Sequence, residues 1–286
     1  MKIAAVQMDV KLGDVAGNVK RVQDFIRQTR AAGAELTIFP ECALTGYCFE
    51  NLAEALTVAE PVPGPATETI LSTLRETGGY AIWGMLEASD DGVYNVAILA
   101  GSDGIIGHYR KIHLPHLGVD MFAHYGDRQF AVYDVADIRV GIGICYDSAF
   151  PESSRIMALQ GADLIALPTN FPTGAQSMVE HVVNTRAMES NVYFAAVNRV
   201  GTERDFSFIG QSKIAGPIGE NLAIASREQE EVLYADIDPQ KARNKRIVRV
   251  PGKHLIDRFA DRRPEMYGEL TQPHELARPR DEFPVA

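Results

Sequence analysis

The chain has 286 residues, 46% of them hydrophobic, enough to bury one large core or two modest ones. Lysine and arginine number 28 against 38 aspartate and glutamate, and the resulting net charge of −10 argues against nucleic acid or an anionic membrane as the main partner, leaving a small molecule as the default. Three cysteines make no disulfide framework and point to a reducing, cytoplasmic setting.

In chain order, β-branched apolar runs alternate with stretches of helical period, the pattern of an α/β protein whose strands are covered by helices. The first run is interrupted by Asp9 before it resembles a signal peptide. No segment approaches the roughly 18 to 20 apolar residues of a membrane span. Strands are predicted over 2–8, 35–39, 80–87, 94–100, 129–135, 139–144, 163–168, 192–197, 207–214 and 232–236, with helices over 18–32, 66–76, 151–160 and 176–190. The connection Ala88-Ser-Asp-Asp-Gly92 is a tight turn, which a purely parallel sheet does not allow, so the sheet is expected to be mixed. The chain reads as a single domain over 1–286, with 250–286 as an Arg- and Pro-rich extended tail that packs at a subunit interface.

Three elements offer chemistry. The run Thr37-Ile-Phe-Pro-Glu41 ends a strand on a carboxylate, and the tight apolar turn Leu44-Thr-Gly-Tyr47 after it would desolvate Glu41 and raise its pKa toward the range of a general base. Lys111 sits between a strand and a proline-ended loop in Tyr109-Arg-Lys-Ile-His-Leu-Pro115. In Gly141-Ile-Gly-Ile-Cys145 an apolar strand stops at a cysteine, before Pro151-Glu152 opens a helix. Carboxyl ends of strands are where α/β proteins place their sites. Taken singly, each residue also reads blandly, as a solvated Glu, a solvated Lys and a core Cys. Together they supply what a thiol nucleophile requires, a base for its proton and a cation for the oxyanion formed on attack.

Phe39-Pro-Glu41, Tyr109-Arg-Lys111-Ile-His-Leu-Pro and Gly143-Ile-Cys145-Tyr-Asp-Ser-Ala-Phe-Pro-Glu resemble, in order and spacing, the three catalytic signatures of the nitrilase superfamily of carbon-nitrogen hydrolases. The likeness extends through Ala166-Leu-Pro-Thr-Asn170, Arg186-Ala-Met-Glu-Ser-Asn191 and Gly210-Gln-Ser-Lys-Ile-Ala-Gly-Pro217, nearly the whole chain. It implies a four-layer αββα sandwich with two mixed sheets, paired across subunits into an eight-layer dimer or a higher homo-oligomer. It implies Cys145 as nucleophile, Glu41 as general base, Lys111 as oxyanion stabiliser and the Tyr146 backbone N–H as a second oxyanion donor, with no metal or organic cofactor. Where the family often has a second glutamate, this chain has Val119, and the neighbouring Asp120 is the candidate substitute, with a merely solvated or turn-capping carboxylate as its other reading. Tyr47, Asn170 and Phe171 are candidate substrate contacts by the same likeness, with a strand cap and a core aromatic as the plainer readings of Asn170 and Phe171.

Tyr146-Asp147 after the nucleophile resembles the amidase branches, whereas true nitrilases typically carry Trp-Glu there. Ser148-Ala149 offers none of the arginines of carbamoyl-cleaving members, which implies a neutral pocket and a small amide or nitrile as partner. The expected reaction is hydrolysis of a small carboxamide through a cysteine thioester, with nitrile or N-carbamoyl hydrolysis, or an inactive binding or redox-sensing role, as alternatives. His113, His116, Asp120 and His124 match no closed zinc spacing, and Cys42 and Cys48 lack that of a redox pair.

Overall fold

The computed structural model describes residues 1–283; the last three residues of the expected tail, 284–286, lie outside the described residues. Its first half runs β1 (Lys2–Gln7), α1 (Val15–Ala31), β2 (Leu36–Ile38), α2 (Leu52–Leu56), α3 (Pro65–Thr77), β3 (Tyr80–Ser89), β4 (Gly92–Gly101) and β5 (Gly104–Arg110). The second half runs β6 (Val132–Val135), β7 (Ile138–Ile142), α4 (Pro151–Leu159), β8 (Leu164–Pro168), α5 (Val183–Ser190), β9 (Tyr193–Val197), the small hairpin β10 (Thr202–Glu203) and β11 (Phe206–Ser207), then β12 (Lys213–Ala215) and β13 (Asn221–Ile224). β14 (Glu231–Asp236) returns to β1, and α6 (Pro239–Arg243), the hairpin β15 (Arg246–Val250) and β16 (His254–Asp257), and α7 (Pro279–Glu282) follow.

Two six-stranded sheets result, ordered β14-β1-β2-β3-β4-β5 and β13-β12-β9-β8-β7-β6. Both are mixed: β1, β2 and β3 are mutually parallel, as are β7, β8 and β9, while the flanking strands are antiparallel. Because side chains alternate along a strand, Leu36 and Ile38 face the second sheet and join Val140, Ile142, Leu164 and Phe194 in one core, while Thr37 faces α1 and its hydroxyl meets that of Thr29 at 2.6 Å. On the outer face Val19, Val22 and Ile26 of α1 recur at helical spacing and pack with Ile70, Leu74 and Trp83. Asp14 caps α1 by accepting from the Gly17 N–H at 3.0 Å. With α4 and α5 against the second sheet, the layers are αββα, as the resemblance implied.

Three expectations change. The strand predicted over 207–214 is broken, because Gly210 and Gln211 both take positive φ and turn the chain between β11 and β12. The helix over 176–190 is a π turn, Met178–Val182, followed by α5, which ends where Asn191 goes left-handed. The described part of the expected tail, 250–283, carries a hairpin strand, two 3-10 turns and α7. β5, β10, β13, β15 and β16 are additional strands.

Candidate active site

Glu41 follows β2 at its carboxyl end, and the segment is clamped onto β3: Phe39 N–H donates to Ile82 O at 2.8 Å, and Gly84 N–H donates to Pro40 O at 3.2 Å. A Cβ on Gly84 would lie 2.3 Å from the Cys42 nitrogen, so only glycine lets the strand approach this closely. Two further N–H groups of the loop, from Tyr47 and Cys48, donate to Glu203 Oε2 at 2.9 Å each, and Glu203 is itself paired with the buried Arg199. The Glu41 side chain is therefore held rigidly in the interior, fully buried.

Lys111 follows β5, and two antiparallel steps through β4 give β5 the direction of β3, so the lysine emerges at the same end as Glu41. Its Nζ donates to Glu41 Oε1 at 2.7 Å and to Asp120 Oδ2 at 2.5 Å, with all three residues sealed from solvent. Asn95 of β4 donates to both carboxylates, at 2.8 Å to Glu41 and 3.0 Å to Asp120. The Tyr47 hydroxyl lies 2.8 Å from Asp120 Oδ2, and its ring lies under the Lys111 ammonium. Burial opposes charge on Lys111, but Asp120 and Glu41 more than compensate and hold it well above its usual pKa, so it is an ammonium at neutral pH. Burial raises the Glu41 pKa, and Lys111 partly offsets that rise.

Cys145 opens a 3-10 turn just past β7, with φ at +42°. That left-handed backbone costs a non-glycine residue on the order of 1 kcal/mol, and Asp147 holds it there. Asp147 Oδ2 accepts from Ile144 N–H at 2.8 Å and from the Tyr109 hydroxyl at 2.7 Å, while Oδ1 accepts from His113 N–H at 3.2 Å and meets His113 Nδ1 at 2.7 Å. Tyr109 and His113 flank Lys111 by two residues on either side. One carboxylate thus fastens the lysine loop to the cysteine turn. The N–H of Tyr146 lies in the first turn, among those a short helix leaves without an internal acceptor.

Cys145 is not fully sealed from solvent, yet burial, and then Glu41, push its thiol far above the usual range, against the opposing pull of Lys111. The Thr169 hydroxyl and the Asn170 N–H lie beside the sulfur and favour its thiolate. Two further sets of buried polar atoms have no partner among the described residues: Glu41 Oε2 and both side-chain amide atoms of Asn170. Buried polar atoms are rarely left unpaired, and such a set marks a place where a polar ligand completes the bonding.

The structure brings Glu41, Lys111, Cys145, Asp120 and the Tyr146 backbone to one end of the two sheets. Tyr47 sits behind the lysine with its hydroxyl engaged by Asp120 and Leu117 O, and Phe171 is a core residue whose backbone pairs with Asn198. Asn95 and Asp147 were missed as site residues. Asp147 stands in the cysteine motif and was legible as a neighbour; Asn95, inside an apolar strand, left only the oddity of a buried amide. The four residues read against zinc point elsewhere: Asp120 to Lys111, His113 to Asp147, His124 to the Tyr94 ring and His116 to the Phe283 ring.

A nitrilase of Pyrococcus abyssi is 40% identical over 93% of this chain and 99% of its own. An (R)-stereoselective amidase of Pseudomonas is 32% identical, covering 95% of each chain. Among solved structures, a double mutant of the amidase from Nesterenkonia sp. AN1 in complex with acrylamide superposes with a TM-score of 0.80 over 94% of this chain and 97% of its own, at 23% identity. The family described as carbon-nitrogen hydrolase matches residues 2–247, and the chain belongs to it, as a hydrolase of the nitrilase superfamily.

Proposed function

We propose that the protein hydrolyses the C–N bond of a small carboxamide through a thioester on Cys145, with Glu41 as base, Lys111 as oxyanion stabiliser and Asp120 as the second acid. The observation that carries this reading is the division of hydrogen bonds at the cluster. An ammonium has three N–H donors; Glu41 and Asp120 take two, and the third remains for a substrate oxygen. Glu41 Oε1 is occupied by Lys111 and Asn95, leaving Oε2 without a partner among the described residues, beside a thiol that is protonated at neutral pH and needs a base.

In the first step the Sγ proton passes to Glu41 Oε2 as sulfur bonds to the amide carbon, and the carbonyl electron pair moves onto oxygen. Lys111 Nζ and the Tyr146 N–H receive that oxyanion, each such donor contributing about 3 kcal/mol in a dry site. Collapse breaks the C–N bond, and the amine leaves with the proton held by Glu41. Water then gives Glu41 a proton as it adds to the thioester, and a second collapse restores the thiol and releases the acid. Asp120 fixes Lys111 against the pull of Glu41, and Asn170 supplies unpaired amide groups for a polar substrate.

Cys145→Ala is expected to lower ammonia release from amides at least about a thousandfold, and acid-quenched wild type is expected to carry an acyl adduct on Cys145 by mass spectrometry. Full activity in the variant overturns the assignment. A second reading, direct nitrile hydrolysis, is supported by the 40% identity to a protein named nitrilase. A panel of amides, nitriles and ureido compounds separates the readings: a nitrilase takes nitriles directly to acids, and a carbamoyl hydrolase releases CO₂ with ammonia.

A further inference from the structure

Cys145 and Thr169 stand at matching places on neighbouring strands. β7 and β8 are parallel, with Ile142 opposite Ala166 and the Gly143 N–H donating to Ala166 O at 3.1 Å. Three residues on from that pair, one chain reaches Cys145 and the other Thr169. Strands in register lie about 4.8 Å apart, within reach of two short side chains. The turn that begins at Cys145 stays packed on the end of β8, and the Thr169 hydroxyl and the Asn170 N–H both lie beside the sulfur. Thr169 is held from its other side, where its N–H donates to Val197 O of β9 at 2.9 Å. It is fully buried, and its branched side chain has few rotamers to choose from. Among the described residues no oxygen or nitrogen bonds its Oγ1. Buried hydroxyls ordinarily have a partner, and the group beside this one that can become a strong acceptor is the Cys145 sulfur.

A neutral thiol accepts hydrogen bonds weakly, whereas a thiolate accepts them strongly. Donors aimed at the sulfur therefore gain most when it carries charge, and an interaction that strengthens along the reaction lowers the barrier. In thioester hydrolysis that moment is the collapse of the second tetrahedral intermediate. The C–S bond breaks, its electron pair goes to Sγ, the acid leaves, and Glu41 then returns to sulfur the proton it took from water. Burial and the Glu41 carboxylate both oppose a negative sulfur, so a bare thiolate at this place is a poor leaving group. Lys111 favours the thiolate through its charge, but its three N–H groups are committed to Glu41, Asp120 and the oxyanion, and the Tyr146 N–H serves that same oxygen. The end of β8 is left to cover the sulfur.

We infer that Thr169 is a further catalytic residue, whose hydroxyl forms with the Asn170 N–H a donor pair for the Cys145 thiolate as the sulfur leaves the thioester. The inference rests on the thioester reading of the reaction and adds to it a second set of donors, one for sulfur beside the one for oxygen. The hydroxyl keeps its proton throughout and only lends a hydrogen bond, so the proton balance of the reaction is unchanged. The same bond that steadies the thiolate also blunts its attack, so the hydroxyl favours departure of the sulfur more than its addition.

The test compares Thr169→Val, which keeps the branched shape and removes the hydroxyl, with Thr169→Ser, which keeps the hydroxyl. On a small amide, Thr169→Val is expected to lose about tenfold in kcat, the effect of one hydrogen bond to a charged group. Acylation, reported by kcat/KM, is expected to fall only about threefold, as is alkylation of Cys145 by iodoacetamide followed by mass spectrometry of its peptide. KM therefore falls, and the share of enzyme carrying the acyl adduct in acid-quenched samples rises above that of wild type. A packing defect alone lowers kcat without building up the adduct. Thr169→Ser is expected to stay within about twofold of wild type in each measurement. Should Thr169→Val not fold, as judged by far-UV circular dichroism, Thr169→Ala against Thr169→Ser makes the same comparison. A wild-type kcat in Thr169→Val, or an equal loss in the Val and Ser variants, overturns the inference while leaving the amidase reading intact. If wild type turns over no amide or nitrile, the thioester reading falls, and alkylation decides the donor pair alone: slowed in Thr169→Val and normal in Thr169→Ser upholds it, and equal rates in all three overturn it.

Discussion

Glu41 shows how one side chain is prepared by its surroundings. Burial raises its pKa above the ordinary 4.5, Lys111 pulls it back, Asp120 raises it again, and hydrogen bonds from Lys111 and Asn95 lower it. As a base Glu41 acts only when ionised, so kcat/KM is expected to rise with pH through a midpoint above 4.5. Removing the Asn95 donor takes away one of the interactions that favours the ionised form. Asn95→Ala is therefore expected to move this acid limb upward by about one pH unit, since a hydrogen bond to a charged group is worth roughly 1.5 kcal/mol and one unit corresponds to about 1.4 kcal/mol. The stability effect has a definite sign. A carboxyl with a raised folded-state pKa binds more protons folded than unfolded, so its contribution is complete below the unfolded pKa near 4.5 and is lost as pH rises through the folded value. Glu41→Gln is expected to flatten that part of the stability profile in urea unfolding and to abolish turnover. An acid limb unmoved in Asn95→Ala would count against Glu41 as the base. The sequence exposed the candidate triad because each member stands next to a proline, glycine or strand end; it concealed Asn95, whose neighbours in β4 are apolar.

At the scale of elements, the site is a junction of loops that reach one end of two sheets, and Asp147 is the bolt. Its four contacts join the turn after β7 to both flanks of Lys111 after β5, so the relative position of nucleophile and ammonium depends on a side chain that touches neither reacting atom. Asp147→Ala leaves Tyr109, His113 and the Ile144 N–H unsatisfied, each costing about 1–3 kcal/mol when buried. The expected result is a loss of about 3 kcal/mol or more in unfolding free energy, with kcat falling more than KM rises. Asp147→Asn, which preserves the shape, is expected to recover part of the stability and less of kcat. An Ala variant with wild-type kcat would refute this positioning role. The element order was largely legible because β-branched runs and helical stripes differ in period. β5 was not, since Gly104 and Gly107 interrupt its apolar run and a register shift at Leu99/Ala100 accommodates the irregular pairing. The break between β11 and β12 was hidden for a related reason: Gln211 takes positive φ without being glycine, and no residue type announces that.

For the molecule as a whole, the question is what covers the outer helices. Ile156 and Leu159 on α4 and Met188 on α5 are each about two-fifths exposed, and Ile218 beside Gly219, which packs on Met188, is 71% exposed. Side chains of this size clustered on one face are unusual for a surface that meets only water. The C-terminal segment runs along the edge of this face: Arg258 donates to Met188 O at 2.7 Å, and Phe259 is held between Arg155 and Lys245. The same segment ends at a cavity lined also by Tyr146, so the face and the mouth of the site share one stretch of chain. We propose that a second copy of the protein covers the α4 and α5 face, as the sequence resemblance implied. A stable pairing buries about 800 Å² per partner, an area two helices and an adjoining segment can supply. Light scattering is expected to give a dimer or a higher even-numbered assembly at micromolar concentration. Ile156→Asp combined with Leu159→Asp places two charges at the centre of the contact and is expected to shift the population to monomer with the far-UV circular dichroism of the wild type. A wild type that is monomeric throughout, or a double variant that stays assembled, would show that this face is not the interface.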